Sequence, residues 1–274
     1  MEGIVFFDYD GTLADKDEGI PSPTPATLRA LSLLRRRGYL PVLCTGRSYC
    51  YLPTGAAQWF DTIITANGAC GWRNGRRLWR QTLCVPQLLA LQRTLAACGA
   101  ASFYETDDAG YSADLDDPLL CEVMRAMAFS TERFQPLRPS DVAALPVCKC
   151  VAFFSDAKKL DAARAALGGD YELRAGKGGR YADINAKGMN KGVGAARLAA
   201  LLDVPKEKTY AFGDGENDCE LLLAAGAGVA MGRHAQELEK AAVFITGTVA
   251  QEGVAQGLTR LGLIPALSDA GKID

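Results

Sequence analysis

The sequence predicts an α/β protein: a doubly wound parallel sheet into which a second, smaller α/β segment is inserted. Short apolar runs at Ile4-Val5-Phe6-Phe7, Leu40-Pro41-Val42-Leu43-Cys44 and Thr209-Tyr210-Ala211-Phe212 read as parallel strands buried on both faces. Helical patterns separate such runs at both ends of the chain. From about residue 82 the alternation gives way to hairpins and a different mixture. A chain of 274 residues is long for one core, and ~100–200 residues per domain suggest two. Residues 1–81 and 183–274 are therefore expected to form a core domain, and residues 82–182 an inserted α/β domain.

The first run delivers Asp8-Tyr9-Asp10-Gly11-Thr12 to its C-terminal end, the edge where open parallel sheets bind ligands. Asp8 and Asp10 project to one side with Cα atoms roughly 6–7 Å apart in extended backbone. One carboxylate can attack while its neighbour handles protons. Gly11 lets the chain turn away, and the Thr12 hydroxyl can tie that turn to the carboxylates. Thr24 is the expected N-cap of the next helix, with Pro25 in its first position. Leu28, Ala30, Leu31 and Leu34 make its apolar stripe, Arg35-Arg36-Arg37 complement its C-terminal dipole, and Gly38 ends it.

The second run ends in Thr45-Gly46-Arg47, a hydroxyl, an unhindered N–H and a guanidinium that together can hold a phosphate. Thr62-Ile63-Ile64-Thr65 is a third strand, ending at Asn67-Gly68-Ala69. Arg73, Arg76, Arg77 and Arg80 flank an Asn74-Gly75 turn and read as a solvated hairpin. Within the insert, helices are expected over 86–97, from Asp117-Pro118 (with Leu119, Leu120, Val123, Met124 and Met127 inside) and from Asp156 to Leu167. Strands are expected over 102–105, 110–113, 147–154, 171–173 and 181–184. After it come a helix over 190–202 with Lys191 in its first turn, and the loop Gly213-Asp214-Gly215-Glu216-Asn217-Asp218. A Leu-rich helix stopped by Gly226 and strands over 228–231 and 243–245 complete the pattern. Three strand ends thus put polar residues at one edge, a recurrence that isolated turns do not explain.

Composition excludes several functions. A net charge of −2 argues against a general nucleic-acid binder, and no run approaches the ~18–20 apolar residues of a membrane span. Met1-Glu2-Gly3 is not the basic start of a signal peptide. Nine cysteines without a C-x-x-C pair suit reduced thiols in the cytoplasm, and Cys148 and Cys150 are not expected to bind zinc. The single histidine, His234, rules out a zinc-peptidase histidine pair and reads as solvated. No P-loop or G-x-G-x-x-G turn is present to cradle a nucleotide.

Asp8, Asp214 and Asp218 are oxygen donors of the kind that hold Mg²⁺. A carboxylate attacking a phosphate dianion meets ~4 kcal/mol of repulsion per charge at 4 Å and an effective dielectric near 20, about 8 kcal/mol in all. That is worth up to ~6 powers of ten in rate. Mg²⁺ and Lys191 are the evident means of offsetting it.

Asp8-Tyr9-Asp10-Gly11-Thr12, Thr45-Gly46-Arg47, Lys191-Gly192 and Gly213-Asp214-Gly215-Glu216-Asn217-Asp218 resemble the four ordered motifs of the haloacid dehalogenase (HAD) superfamily of phosphatases. Asn67-Gly68-Ala69, the run Ala225-Gly226-Ala227-Gly228-Val229-Ala230-Met231-Gly232 and Glu252-Gly253-Val254-Ala255 resemble its Cof-type, subclass IIB branch. The resemblance implies a Rossmann-like core with a cap domain inserted between the second and third motifs. It implies that Asp8 is a nucleophile forming an aspartyl-phosphate and that Asp10 protonates the leaving alcohol, then activates water. Mg²⁺ would be held by Asp8, Asp214 and the main-chain carbonyl of Asp10, with Asp218 behind them. Thr45, Gly46, Lys191 and Asn217 would grip the phosphate, and Arg47 would face either the phosphate or the leaving group.

The implied substrate is a small phosphorylated metabolite of the sugar phosphate or pyridoxal phosphate class, chosen by loops of the cap; Asp107-Asp108 and Gly176-Lys177-Gly178-Gly179-Arg180 are the candidates, each read first as a plain hairpin loop. A phosphomutase and a non-catalytic phosphate-binding regulator are the competing expectations. One departure stands out. The family follows Met-Gly with Asn-Ala, whereas this chain has the longer Arg233-His234-Ala235.

Overall fold

The computed structural model describes residues 1–126, 131–138, 141–176 and 179–267. The chain opens with β1 (Gly3–Phe7), α1 (Pro25–Arg36), β2 (Tyr39–Cys44), α2 (Ala56–Trp59), β3 (Thr62–Thr65), β4 (Cys70–Arg73) and β5 (Arg76–Arg80). Next come α3 (Val85–Ala97), β6 (Ala101–Glu105), β7 (Gly110–Ser112), α4 (Pro118–Ala126), β8 (Phe134–Pro136), β9 (Lys149–Phe153), α5 (Ala157–Leu167), β10 (Tyr171–Ala175) and β11 (Tyr181–Ala186). The last part holds α6 (Lys191–Leu201), β12 (Thr209–Gly213), α7 (Cys219–Ala224), β13 (Ala227–Ala230), β14 (Phe244–Ile245) and α8 (Gly253–Arg260). Met127, expected inside the fourth helix, and Lys177 and Gly178 lie outside the described residues.

The strands form two sheets. The larger has the order β14-β13-β12-β1-β2-β3-β4-β5, parallel from β14 to β3 and antiparallel at the β3–β4 and β4–β5 pairs. The β4–β5 pair turns at Asn74 and Gly75, both at positive φ, as the Asn-Gly signal requires. The smaller sheet, β10-β11-β9-β6-β7-β8, is antiparallel except at β7–β8. β11 runs unbroken to Ala186, so the second sheet extends past the expected boundary at residue 182. Ladder pairing of Ile184 with Cys150 and Leu173 holds the strand there, where the sequence pattern gave no break.

β1 is buried along its whole length. Ile4 and Phe6 face a core with Leu198 and Leu221, while Val5 and Phe7 face the opposite core with Leu31 and Leu258. This two-sided burial explains a continuous apolar run where a half-exposed strand would alternate. Phe7 pairs with Leu43 on one side and Phe212 on the other. The shared register brings residues 8, 45 and 214 to one edge. Two short tethers, 81–84 and 187–190, join the sheets. Further contacts come from Leu83, whose N–H donates to Val147 at 2.9 Å, and from an ion pair between Arg174 of β10 and Glu220 of α7.

Candidate active site

Asp8 leaves β1 with its N–H donated to Phe212 O at 3.0 Å, which fixes the carboxylate beside the end of β12. Lys191 reaches the same point from the first turn of α6, whose N-cap Asn190 accepts from Val193 N at 2.9 Å. The Lys191 ammonium, fully buried, donates to Asp8 Oδ1 at 2.7 Å and to Asp218 Oδ1 at 2.6 Å. Asp218 Oδ2 accepts the N–H groups of Asp214 and Gly215 at 3.1 and 3.0 Å, so the loop after β12 closes on its own carboxylate. Thr12 Oγ1 donates to Asp214 Oδ1 at 3.1 Å and ties that loop to the turn after β1. Gly11 makes this approach possible. It sits at φ 91°, and a Cβ there would lie 2.0 Å from Asp214 Oδ2.

Asp8, Asp214 and Asp218 each bring a carboxylate oxygen within 4.8 Å of the others. Burial first, then the Asp218 charge, push the Asp8 carboxyl up to about 7 against the pull of Lys191. Asp214 rises to about 8, through burial and then the charges of Asp8 and Asp218. Burial opposes the Lys191 charge, but Asp218 and Asp8 outweigh it and hold the ammonium above its ordinary range. Three carboxyl groups around one ammonium would, once ionised, carry surplus negative charge in a largely buried place. Hard oxygen donors in that condition fit a divalent cation such as Mg²⁺.

Asp10 stands apart from this cluster and is half-exposed. Arg47 grips it through two parallel bonds, Nε to Oδ2 at 2.7 Å and Nη2 to Oδ1 at 2.6 Å, and lies over the Tyr9 ring. Arg47 thus binds a second site carboxylate directly. Thr45 is buried, and its hydroxyl accepts from Arg47 N at 3.2 Å. Asn217 donates to Asn67 Oδ1 at 3.3 Å, beside the Gly46 backbone. All nine expected site residues therefore gather at one edge of the large sheet.

Several neighbours were not among the expected site residues, although Asn67 lies in a motif the sequence displays. Asn67, at φ 54°, donates to Asp183 Oδ2 at 2.9 Å and to Asn185 Oδ1 at 3.2 Å on β11. Lys149, Glu105 and Ser48 form a buried polar group behind the Thr45-Gly46-Arg47 loop. The available signal was a lysine between Cys148 and Cys150 in an otherwise apolar strand. The arginine hairpin is not simply solvated. Arg77 and Arg80 reach Asp107 Oδ2 at 2.8 and 3.4 Å, which makes Asp107 a link between the sheets. Cys148 faces Cys70, Sγ to Sγ at 3.2 Å, with Asp107 beside them, and the two guanidiniums already neutralise that carboxylate.

His234 is not solvated either. Its ring is 11% exposed, with Nδ1 2.7 Å from Met231 O. Arg233 pairs with Asp15 and Asp17, so the unusual Arg-His step fastens the loop after β13 to the loop after β1.

Comparison with known proteins agrees with this geometry. A family profile described as haloacid dehalogenase-like hydrolase matches residues 5–258. The HMP-PP phosphatase of Yersinia pestis (strain Pestoides F) is 30% identical over 268 residues, covering 94% of each chain. Two solved structures share the fold. One is a phosphatase of the haloalkanoate superfamily from Bacteroides thetaiotaomicron (TM-score 0.85, 23% identity, 96% of each chain). The other is a subclass IIB sugar phosphatase (TM-score 0.83, 21% identity, 96% of this chain and 100% of that one). With its motifs assembled at one sheet edge and matched along nearly its full length, the chain belongs to the haloacid dehalogenase-like hydrolase family, as a Cof-type phosphatase.

Proposed function

We propose that the protein is a Mg²⁺-dependent phosphomonoester hydrolase that works on a small phosphorylated metabolite through an aspartyl-phosphate at Asp8. The observation that carries this is Lys191 bridging Asp8 and Asp218 at 2.7 and 2.6 Å, with Asp10 held separately by Arg47. Attack by a carboxylate on a dianion needs buried positive charge; Lys191 supplies one such charge, and a divalent cation among the carboxylates would supply the rest. Mg²⁺ would be held by Asp8, Asp214 and the Asp10 carbonyl, backed by Asp218, and would draw off the remaining charge of the dianion.

In the first step an Asp8 oxygen forms a bond to phosphorus while the bond to the leaving oxygen breaks, and Asp10, freed at one oxygen from Arg47 and carrying a proton there, gives it to the leaving oxygen. In the second, Asp10 takes a proton from water as the water attacks phosphorus. The Asp8–phosphorus bond breaks and phosphate leaves. Lys191, Thr45, Gly46 and Asn217 hold the phosphoryl oxygens. Arg47 steers Asp10 and, by its reach, the leaving group. The second sheet, with residues 82–186, acts as a cap that excludes water and selects the leaving group. The 30% relative acts on HMP-PP, by its name, and a relative of Bacillus subtilis strain 168, similar over only 28% of each chain, acts by its name on 5-amino-6-(5-phospho-D-ribitylamino)uracil. Both names support a small phosphorylated metabolite as the substrate class.

The test is phosphate release from a panel of phosphorylated metabolites, with and without Mg²⁺, for the wild type and Asp8→Asn. Metal-dependent release that the substitution abolishes is expected. Folded protein that releases no phosphate from any compound with Mg²⁺ present would overturn the proposal.

A further inference from the structure

We infer that Lys149 is a positioning residue for the phosphate-gripping loop, one that couples the second sheet to the backbone of Gly46; this rests on the phosphatase reading above. Lys149 opens β9 and is 5% exposed. Its ammonium donates to Gly46 O at 2.8 Å and to the Asp183 carboxylate oxygens at 3.2 and 3.3 Å, and pairs with Glu105 at 3.4 Å. Glu105 lies directly across from Lys149 in the β6–β9 ladder and accepts from Ser48 Oγ of the core loop. Asp183 accepts from Asn67, the residue that also holds Asn217.

A buried ammonium is costly unless paired. Two carboxylates already more than balance its charge. The third contact, to a peptide carbonyl of the other sheet, is surplus to neutralisation and acts on the loop instead. Because the peptide unit is planar, pinning the Gly46 carbonyl sets the orientation of the Gly46–Arg47 peptide. Thr45 lies just before that peptide, and the Arg47 grip on Asp10 follows it. The approach is close: a Cβ on Gly46 would lie 2.8 Å from Asn67 Oδ1 and 3.4 Å from Asp183 Oδ2. The loop therefore takes this shape with the second sheet seated against it.

Lys149→Met alone strands the buried Glu105 carboxylate and leaves the partly buried Asp183 without its ammonium, so the test combines it with Glu105→Gln. The pair removes one positive and one negative charge, keeps the net charge of the cluster, and deletes the contact to Gly46. Inorganic phosphate is titrated calorimetrically into the Mg²⁺-loaded protein, and KM and kcat are measured on the best substrate of the panel. Phosphate affinity is expected to fall about tenfold and KM to rise by a similar factor, with kcat changed less than about threefold. Wild-type affinity and KM in the folded double variant would overturn the inference, leaving Lys149 as a neutraliser of buried charge only. If that pair does not fold, Lys149→Met with Glu105→Leu poses the same question with the same two outcomes. A wild type that hydrolyses nothing would sink the phosphatase reading, while the phosphate titration would still decide the role of Lys149. A wild type that binds no phosphate would overturn both.

Discussion

Asp8 and Asp10 are two residues apart, yet their surroundings divide them: one is buried against an ammonium, the other half-exposed against a guanidinium. That division predicts different losses. Asp8→Asn is expected to lower turnover by about 10⁴ or more, because it removes the carboxylate proposed to attack, whereas Asp10→Asn is expected to cost about 10²–10⁴. Steady-state phosphate release measures both. Chelation with EDTA is expected to abolish release and added Mg²⁺ to restore it, since three carboxylates, two of them buried, would otherwise face the substrate dianion with one lysine. Asp8, Lys191, Asp214 and Asp218 were legible in the sequence because each sits at a strand end or helix start whose neighbours announce it. Lys149 and Glu105 were not, and Asn67 was legible only as part of a motif, because their contacts cross between the sheets and no local spacing records such a contact. Arg47 was legible as a site residue, but its bond to Asp10 depends on a side-chain reach that spacing does not encode.

Among the elements, α1 follows its local signals most closely. Thr24 Oγ1 accepts from Thr27 N at 3.1 Å and donates to Glu252 Oε2 at 2.6 Å, so one hydroxyl caps α1 and ties it to the start of α8. Thr24→Ala is expected to cost about 1–2 kcal/mol, read as a lower denaturation midpoint in urea. At α5, Asp156 accepts from Lys159 N at 3.0 Å, and that bond, with the Ser155 hydroxyl, lowers its carboxyl below the ordinary 3.8. A lowered carboxyl contributes stability above its unfolded value and loses it as pH falls through the folded one. Asp156→Ala should therefore lower the melting temperature at pH 7, and the gap should close as the pH drops below 3.8. Strand ends were less legible than helix starts. β11 continues to Ala186 because ladder partners hold it, and β8 pairs with β7 without an apolar alternation to announce it. The Asn74-Gly75 turn, by contrast, needs positive φ at both positions and advertises itself.

For the whole molecule, the two-sheet plan was readable from the change of pattern near residue 82, while the return to the first sheet was obscured by β11. Joint binding of Mg²⁺ and phosphate at about a hundred times the dissociation constant is expected to add about 2.7 kcal/mol, or about 5–10 °C in melting temperature. Differential scanning fluorimetry checks this, and Asp8→Asn should weaken the shift. The central place of β1 has one more result. Its neighbour β2 follows within a few dozen residues, but the hydrogen bond from Thr12 to Asp214 spans 202 residues of chain. At ~5–20 residues per second of synthesis, the far edge of Ile4-Val5-Phe6-Phe7 waits roughly 10–40 s for β12 to emerge. On the ribosome, the strand that leads into Asp8 is, among the described strands, the one left longest with an apolar, unpaired edge, and chaperone capture of nascent chains should fall once residue 213 has cleared the exit tunnel.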